Sequence, residues 1–296
     1  MPRRDVVDRW CTVDGAARAR EILRRLAAGE ALGGLLETTA DGLLDLRGLP
    51  GGGLFARGGE ITGADLRHSW FSHAHLDGVH WRQCRFDGAN FSAAVFSGGS
   101  VVQSSMRRAD LRETLVVGAE WTTVDLAGIR SRHLHSDRAT FADVTFPALA
   151  KVEFTASSFV GCRFTGGLRD VRFLGRGEAT TAVLRDVTFS SSDFQYAEFD
   201  GMDFENVVFP DDGSLIVVPR GFRAVADRAS NLSLSRRDEV GKDLRRFLSG
   251  EFLRPGLSET AGWAVARRDL TPEVAEFAAE NLYEAQRQLR AEGVIS

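Results

Sequence analysis

Cysteine is scarce in this 296-residue chain, and the three that occur, Cys11, Cys84 and Cys162, form no Cys-x-x-Cys pair and no even-numbered framework. That spacing fits a reducing compartment. No apolar run approaches the ~20 residues needed to span a bilayer. Met1-Pro2-Arg3-Arg4-Asp5 leads into no apolar signal core, so the sequence predicts a cytoplasmic protein with no membrane contact. Lysine occurs only as Lys151 and Lys242, and the net charge is −4, too mild to indicate direct nucleic-acid binding. Tyr is rare (2) beside Phe (20), as a repeated apolar slot without a polar handle would produce. A phosphate-cradling loop is also missing: Gly51-Gly52-Gly53 precedes no strand–helix signature and reads as a turn. No Ser/His/Asp arrangement has a supporting context, and no cofactor is expected.

What the chain does have is a period of five. Counting from Leu66 in fives gives Phe71, Leu76, Trp81, Phe86, Phe91, Phe96, Val101, Met106, Leu111, Val116, Trp121 and Leu126. Two residues before each centre lies a mostly small residue, among them Ala64, Ser69, Ala74, Cys84, Ala89, Ala94, Ser104 and Ala109. The frame resumes as Phe154, Phe159 and Phe164, is interrupted by a Gly-rich stretch (Gly166-Gly167, then Gly175-Arg176-Gly177), and runs again from Leu184 through Phe189, Phe194, Phe199, Phe204 and Phe209. A period of five suits neither an α-helix nor a flat strand. It suits one side of a square coil: the small and the large residue point inward, the others outward, and four pentads close a turn. Cys84 and Cys162 fall in the small inward slot and read as core residues.

Motifs such as Ala64-Asp65-Leu66-Arg67 and Ala109-Asp110-Leu111-Arg112 resemble those of pentapeptide-repeat proteins. The resemblance implies a mainly β fold, a right-handed four-sided β-solenoid. It also implies, for some members, protection or inhibition of type II topoisomerases by mimicry of duplex DNA. The expected organisation is an N-terminal helical cap with entry turns (1–60), the solenoid (61–212, irregular near 147–153 and 166–182), and a C-terminal helical cap or docking region (213–296). A solenoid leaves unpaired strand edges at each end, and helices are suited to cover them. Asp14 is placed to cap a helix running to about Ala28, and Ser235-Arg236-Arg237-Asp238 to open one running to about Leu248 and stopping near Gly250. Thr271-Pro272-Glu273 starts the last helix. The C-terminal flank is longer than a cap requires, which suggests a docking module or a homodimer through these helices.

The outer faces supply the candidate sites. On the face centred on Leu76, Phe96, Val116 and Ser136, Val95, Leu115 and Val117 point outward as an apolar patch. Either a terminal helix or a protein partner covers it. The coils from Val183 to Asp212 are acidic, with Asp193, Glu198, Asp200, Asp203 and Glu205 as candidate contacts for a topoisomerase; the alternative is neutralisation by the basic segment 219–254 folding back. All six histidines lie between residues 68 and 135, and His73-Ala74-His75 recurs as His133-Leu134-His135 three coils later. Stacking would bring Glu113, His133, His135 and Asp137 into a patch fit for a metal or for acid–base chemistry, with His73 and His75 as further metal candidates. Against this, the two triplets are roughly 14 Å apart by coil spacing, and exposed His is permitted at any outward position. The preferred expectation is a non-enzymatic protein-binding scaffold. Topoisomerase protection and a His/Glu/Asp enzyme are the alternatives.

Overall fold

The structure, a computed structural model, describes residues 3–32, 34, 36–175, 182–189, 193–252 and 261–295. Arg176 and Gly177, and Arg254 of the basic segment, which entered the reading of the sequence, lie outside the described residues. The centre of the molecule is a parallel β-solenoid of about eight turns. Its four faces are centred on Leu66, Phe86 and Met106 (face 1), Phe71, Phe91 and Leu111 (face 2), Leu76, Phe96 and Val116 (face 3), and Trp81, Val101 and Trp121 (face 4). These centres and the small residues two before them are buried, as the pentad demands. Rings stack from coil to coil: Phe71 on Phe91 at 5.4 Å, Phe146 on Phe164 at 4.7 Å, Phe164 on Phe189 at 4.6 Å and Phe173 on Phe199 at 4.7 Å.

Each coil turns its corners through a left-handed residue, and non-glycine residues occupy many of these positions: His68, His73, Glu113 and His133 have φ of 61°, 57°, 60° and 62°. That conformation is costly for an L-residue. It is retained because it aims the corner amide into the next coil, His73 N–H to Ser92 O (2.9 Å) and His133 N–H to Lys151 O (2.7 Å).

The stack starts at Leu44, which pairs with Ala64, so a whole coil precedes the boundary expected at residue 61. Gly51 and Ala56 occupy two of the four large slots of that coil and hide it in the sequence. At Gly51 a side chain would strike the Phe71 ring (2.5 Å) and Leu23 (3.3 Å), so the next coil and the capping helix fill the slot instead. Regular 20-residue steps then run to the coil of His135. Irregularities are absorbed as an 18-residue step (His135 to Glu153), a 19-residue step (Leu149 to Leu168) and a 25-residue step (Phe159 to Leu184). Where the inward series lapse, Leu134 fills a small slot while buried Ser136 meets Ser157 Oγ at 2.8 Å, an exchange that keeps the interior filled.

At the N-terminal end, α1 (Arg3–Asp8) and α2 (Val13–Ala27) close the stack, with Ile22 and Leu26 in its core. Arg9 grips Asp45 with two 2.9 Å bonds. Thr12, not Asp14, caps α2, its Oγ1 accepting from Gly15 N–H, because Asp14 already lies within the first turn.

The C-terminal region is not purely helical. Strand Gly262–Ala266 adds antiparallel to the last coil at Glu198–Met202, and strand Leu215–Val218 adds antiparallel to it. The two-stranded ribbon has two apolar sides: Leu215, Ala264 and Ala266 close the solenoid core, while Ile216, Val218 and Trp263 face a second core with α3 (Phe222–Leu232), α4 (Glu239–Phe252) and α5 (Pro272–Ala291). Trp263 stacks on Phe222 at 4.6 Å. Asp238, rather than Ser235, caps α4 by accepting from Gly241 N–H (3.0 Å), and α4 continues past Gly250.

Candidate functional site

On face 3 the residue before each centre projects outward and stacks in register: Phe55, His75, Val95, Leu115, His135, Glu153, Arg172 and Glu198. Alternation within a strand sends the centre inward and its neighbours out, so a 20-residue repeat becomes a straight column. The column has two halves. In the first, Phe55 is 67% exposed and lies flat on the His75 ring (4.4 Å between centroids, 6° between planes), and half-buried Val95 and Leu115 continue it, with Val117 alongside. In the second, His135 Nδ1 lies 3.5 Å from Glu153, and Arg172 bridges Glu153 and Glu198 at 3.0 Å each. The helices pack on the ends of the stack: α2 against strand Phe55–Arg57, and α3, α4 and α5 on one another, with α5 also on the ribbon. Phe55 was missed from the sequence because its coil was, although a step of 20 back from His75 leads to it.

The acidic coils carry far less free charge than their composition suggests. Asp200 is 2% exposed, Glu198 is paired with Arg172, Glu205 with Arg185 at 2.5 Å, and Asp193 with Arg268. Burial, with Glu205 nearby, pushes the Asp203 carboxyl above its usual range, whereas the hydrogen bond from Arg185 holds Glu205 below it. The partners come from the solenoid itself and from the turn after the ribbon. Of the basic segment 219–254, Arg220 at its start acts on Asp203 and Glu205, whereas Arg236, Lys242 and Arg246 pair with Asp238, Glu239 and Asp243 beside them, and Arg228 with Glu292.

The histidine patch does not assemble. Glu113 and His133 sit on the corner leaving face 2, whereas His135 and Asp137 flank a face 3 centre. His135 meets Glu153, Asp137 is taken by Arg138 at 2.8 Å, and His75 is stacked on Phe55; His73 occupies a corner. Among the described residues no group of three or more His, Cys, Asp or Glu is arranged to hold a metal ion. Three coils separate the triplets, and the corner geometry points alternate residues of each triplet along different faces. Burial raises Cys84 and Cys162 to about 11, which keeps both thiols neutral.

The coil geometry agrees with the comparison by sequence: the family model for pentapeptide repeats matches residues 60–98 with eight copies. This chain belongs to the pentapeptide-repeat family. No curated protein matches this pentapeptide-repeat protein in sequence. Solved structures similar to it include trypsin-treated QnrB1, described as a plasmid-mediated fluoroquinolone resistance protein (20% identity, TM-score 0.32, covering 52% of this chain and 77% of that one). Also similar is Rfr23 from the cyanobacterium Cyanothece 51142 (15%, TM-score 0.24, covering 36% and 68%). HetL from Nostoc sp. strain PCC 7120, involved in heterocyst differentiation regulation, is a third (16%, TM-score 0.19, covering 65% and 92%). Among the described residues, no helix of this pentapeptide-repeat protein is long and apolar enough to cross a membrane.

Proposed function

We propose that this pentapeptide-repeat protein is a non-enzymatic protein-binding scaffold that presents the first half of the face 3 column to its partner. The single observation that carries the reading is the outward series Phe55, His75, Val95 and Leu115, an apolar strip aligned across four coils. Rigid backbone ladders hold the strip straight, so a partner that buries it meets little ordering cost. Apolar side chains aligned on a flat face are the composition of an interface core.

The test is site-specific photo-crosslinking in the cell of origin, with the photoreactive group at Val95 or, as control, at exposed Glu120 on face 4. A discrete protein adduct is expected from Val95 only, and Leu115→Arg abolishes it. Equal adducts from both positions, or an adduct indifferent to Leu115→Arg, would overturn the reading.

Topoisomerase protection by DNA mimicry has weaker support, since Glu198, Glu205 and Asp193 are neutralised by arginines and Asp200 is buried. Accordingly, titration into a gyrase supercoiling assay is expected to leave supercoiling unchanged. Inhibition lost on Asp193→Asn or Asp203→Asn would reinstate the mimic.

A further inference from the structure

A second surface lies away from face 3, along the corner between faces 1 and 2. The corner position in five successive coils is held by Gly48, His68, Gly88, Arg108 and Gly128, all left-handed, with φ between 55° and 70°. Because His68 and Arg108 adopt the same conformation as the glycines, backbone geometry alone does not dictate this alternation. Its effect is room for two long side chains: the His68 ring lies over Gly88 and the Arg108 stem over Gly128, where no side chain competes for the space. A Cβ on Gly88 would lie 2.9 Å from His68 Nδ1, and one on Gly128 would lie 3.6 Å from Arg108 Cγ.

Along this corner runs a groove of about 660 Å³ lined by His68, Asp87, Gly88, Arg107, Arg108, Ala127 and Gly128. Beside it is a second hollow of about 410 Å³, lined by Arg4, Val7, Asp8, Pro50, His68 and Trp70 among others. His68 and Gly88 line both, so the two form one continuous channel. Trp70 is 58% exposed, whereas the other four tryptophans are buried. An exposed tryptophan beside Pro50 and Val7 is an apolar bed for one large side chain. The charges at the other end are unevenly committed. Asp87 accepts from Ser105 Oγ and from Arg107 N–H, and Arg107 pairs with Asp125 at 2.6 Å. Among the described residues Arg4 and Arg108 have no ion-pair partner, nor has the Asp8 carboxylate at the Arg4 end.

We infer that this channel binds an extended segment of an acidic polypeptide, with an apolar side chain on Trp70 and a carboxylate at Arg108. Trp70 and Arg108 are about two coils apart, roughly 10 Å, which about three residues of extended chain span. The recognised pattern is therefore an apolar residue followed about three positions later by an acidic one. The surface is distinct from the face 3 strip, and its ligand is a short linear segment.

The experiment uses the full-length protein and a fluorescein-labelled heptapeptide with one leucine and glutamates three and four positions later, followed by anisotropy. Saturable binding is expected below about 1 mM, with quenching of Trp70 emission. Trp70→Ala and Arg108→Glu should each weaken binding about tenfold or more while melting temperature stays unchanged, and Leu115→Arg should have no effect. A peptide with glutamine in place of glutamate should bind at least about tenfold more weakly. No saturation up to about 1 mM, equal binding of the glutamine peptide, or unchanged affinity in Trp70→Ala or Arg108→Glu would overturn the inference. So would loss of binding in Leu115→Arg. Because neither Trp70 nor Arg108 lies on face 3, failure here leaves the crosslinking test of that face independent.

Discussion

The solenoid and the C-terminal unit bury apolar side chains by opposite strategies. In the solenoid every coil contributes the same slots, so Phe71, Phe91 and their successors stack along a line and each coil depends mainly on its two neighbours. In the C-terminal unit the core is gathered once, from one ribbon and three helices, around Trp263, Phe222, Leu244 and Leu282. One core is a repeat with no centre; the other has a single centre. Sequence distance between contacting residues is fixed near 20 in the first and varies freely in the second. The difference shows why one half announces itself in the sequence and the other does not.

The largest effects separate the two strategies. Phe91→Ala and Trp263→Ala should each cost about 3–5 kcal/mol, the usual range for a buried aromatic. Their reach should differ under hydrogen exchange: Trp263→Ala should unprotect α3, α4 and α5 and the ribbon, and leave the amides around Phe71 to Phe96 protected. Loss of protection along the whole chain would show one cooperative unit and break the comparison. At about 1 kcal/mol, Asp238→Ala should remove the α4 cap and lower the stability of the helical unit alone. An equal loss at the N-terminal coils would again argue for a single unit.

Smaller still is Trp121→Phe. The Trp121 indole N–H is buried without a partner, and neighbouring coils already place Phe141 and Phe159 in the same slot. Denaturant melts should shift by less than about 1 kcal/mol, since lost volume is offset by relief of an unsatisfied donor. A loss comparable to Phe91→Ala would mean that the slot reads side-chain shape rather than bulk. The least perturbing test is alkylation at pH 8. Cys11 is exposed and should react; Cys84 and Cys162 should not, because burial raises both to about 11 and their thiolate form gains only as pH rises toward that value. Mass spectrometry should find one label on the native protein and three in denaturant, with no change in melting on labelling Cys11. Native labelling at Cys84 would place its coil among the loose ones.

Legibility followed from periodicity. Faces, inward slots and the Val95/Leu115/Val117 strip were readable because a pentad assigns each position a direction before any contact is known. The first coil was unreadable because Gly51 and Ala56 carry no bulk, the space at Gly51 being filled by Leu23 and Phe71 from elsewhere. The ribbon was unreadable because Leu215–Val218 and Gly262–Ala266 are short apolar runs with no turn between them, and they pair across two intervening helices. Charge was the poorest guide. The acidic composition after Val183 was plain, but its neutralisation by Arg172, Arg185 and Arg268 depends on which coil each arginine reaches.

The antiparallel ribbon seals the stack through backbone hydrogen bonds to the last coil on face 3, and such bonds are indifferent to side-chain identity. A seal of that kind does not record how many turns lie beneath it. Gain or loss of a whole 20-residue turn therefore leaves the terminus the same edge to recognise. Gain or loss of any other length must be taken up within the stack, as the steps of 18, 19 and 25 residues are here. Heredity is thus offered a molecule whose length is a countable quantity, adjustable in increments of about 4.8 Å without redesign of either end.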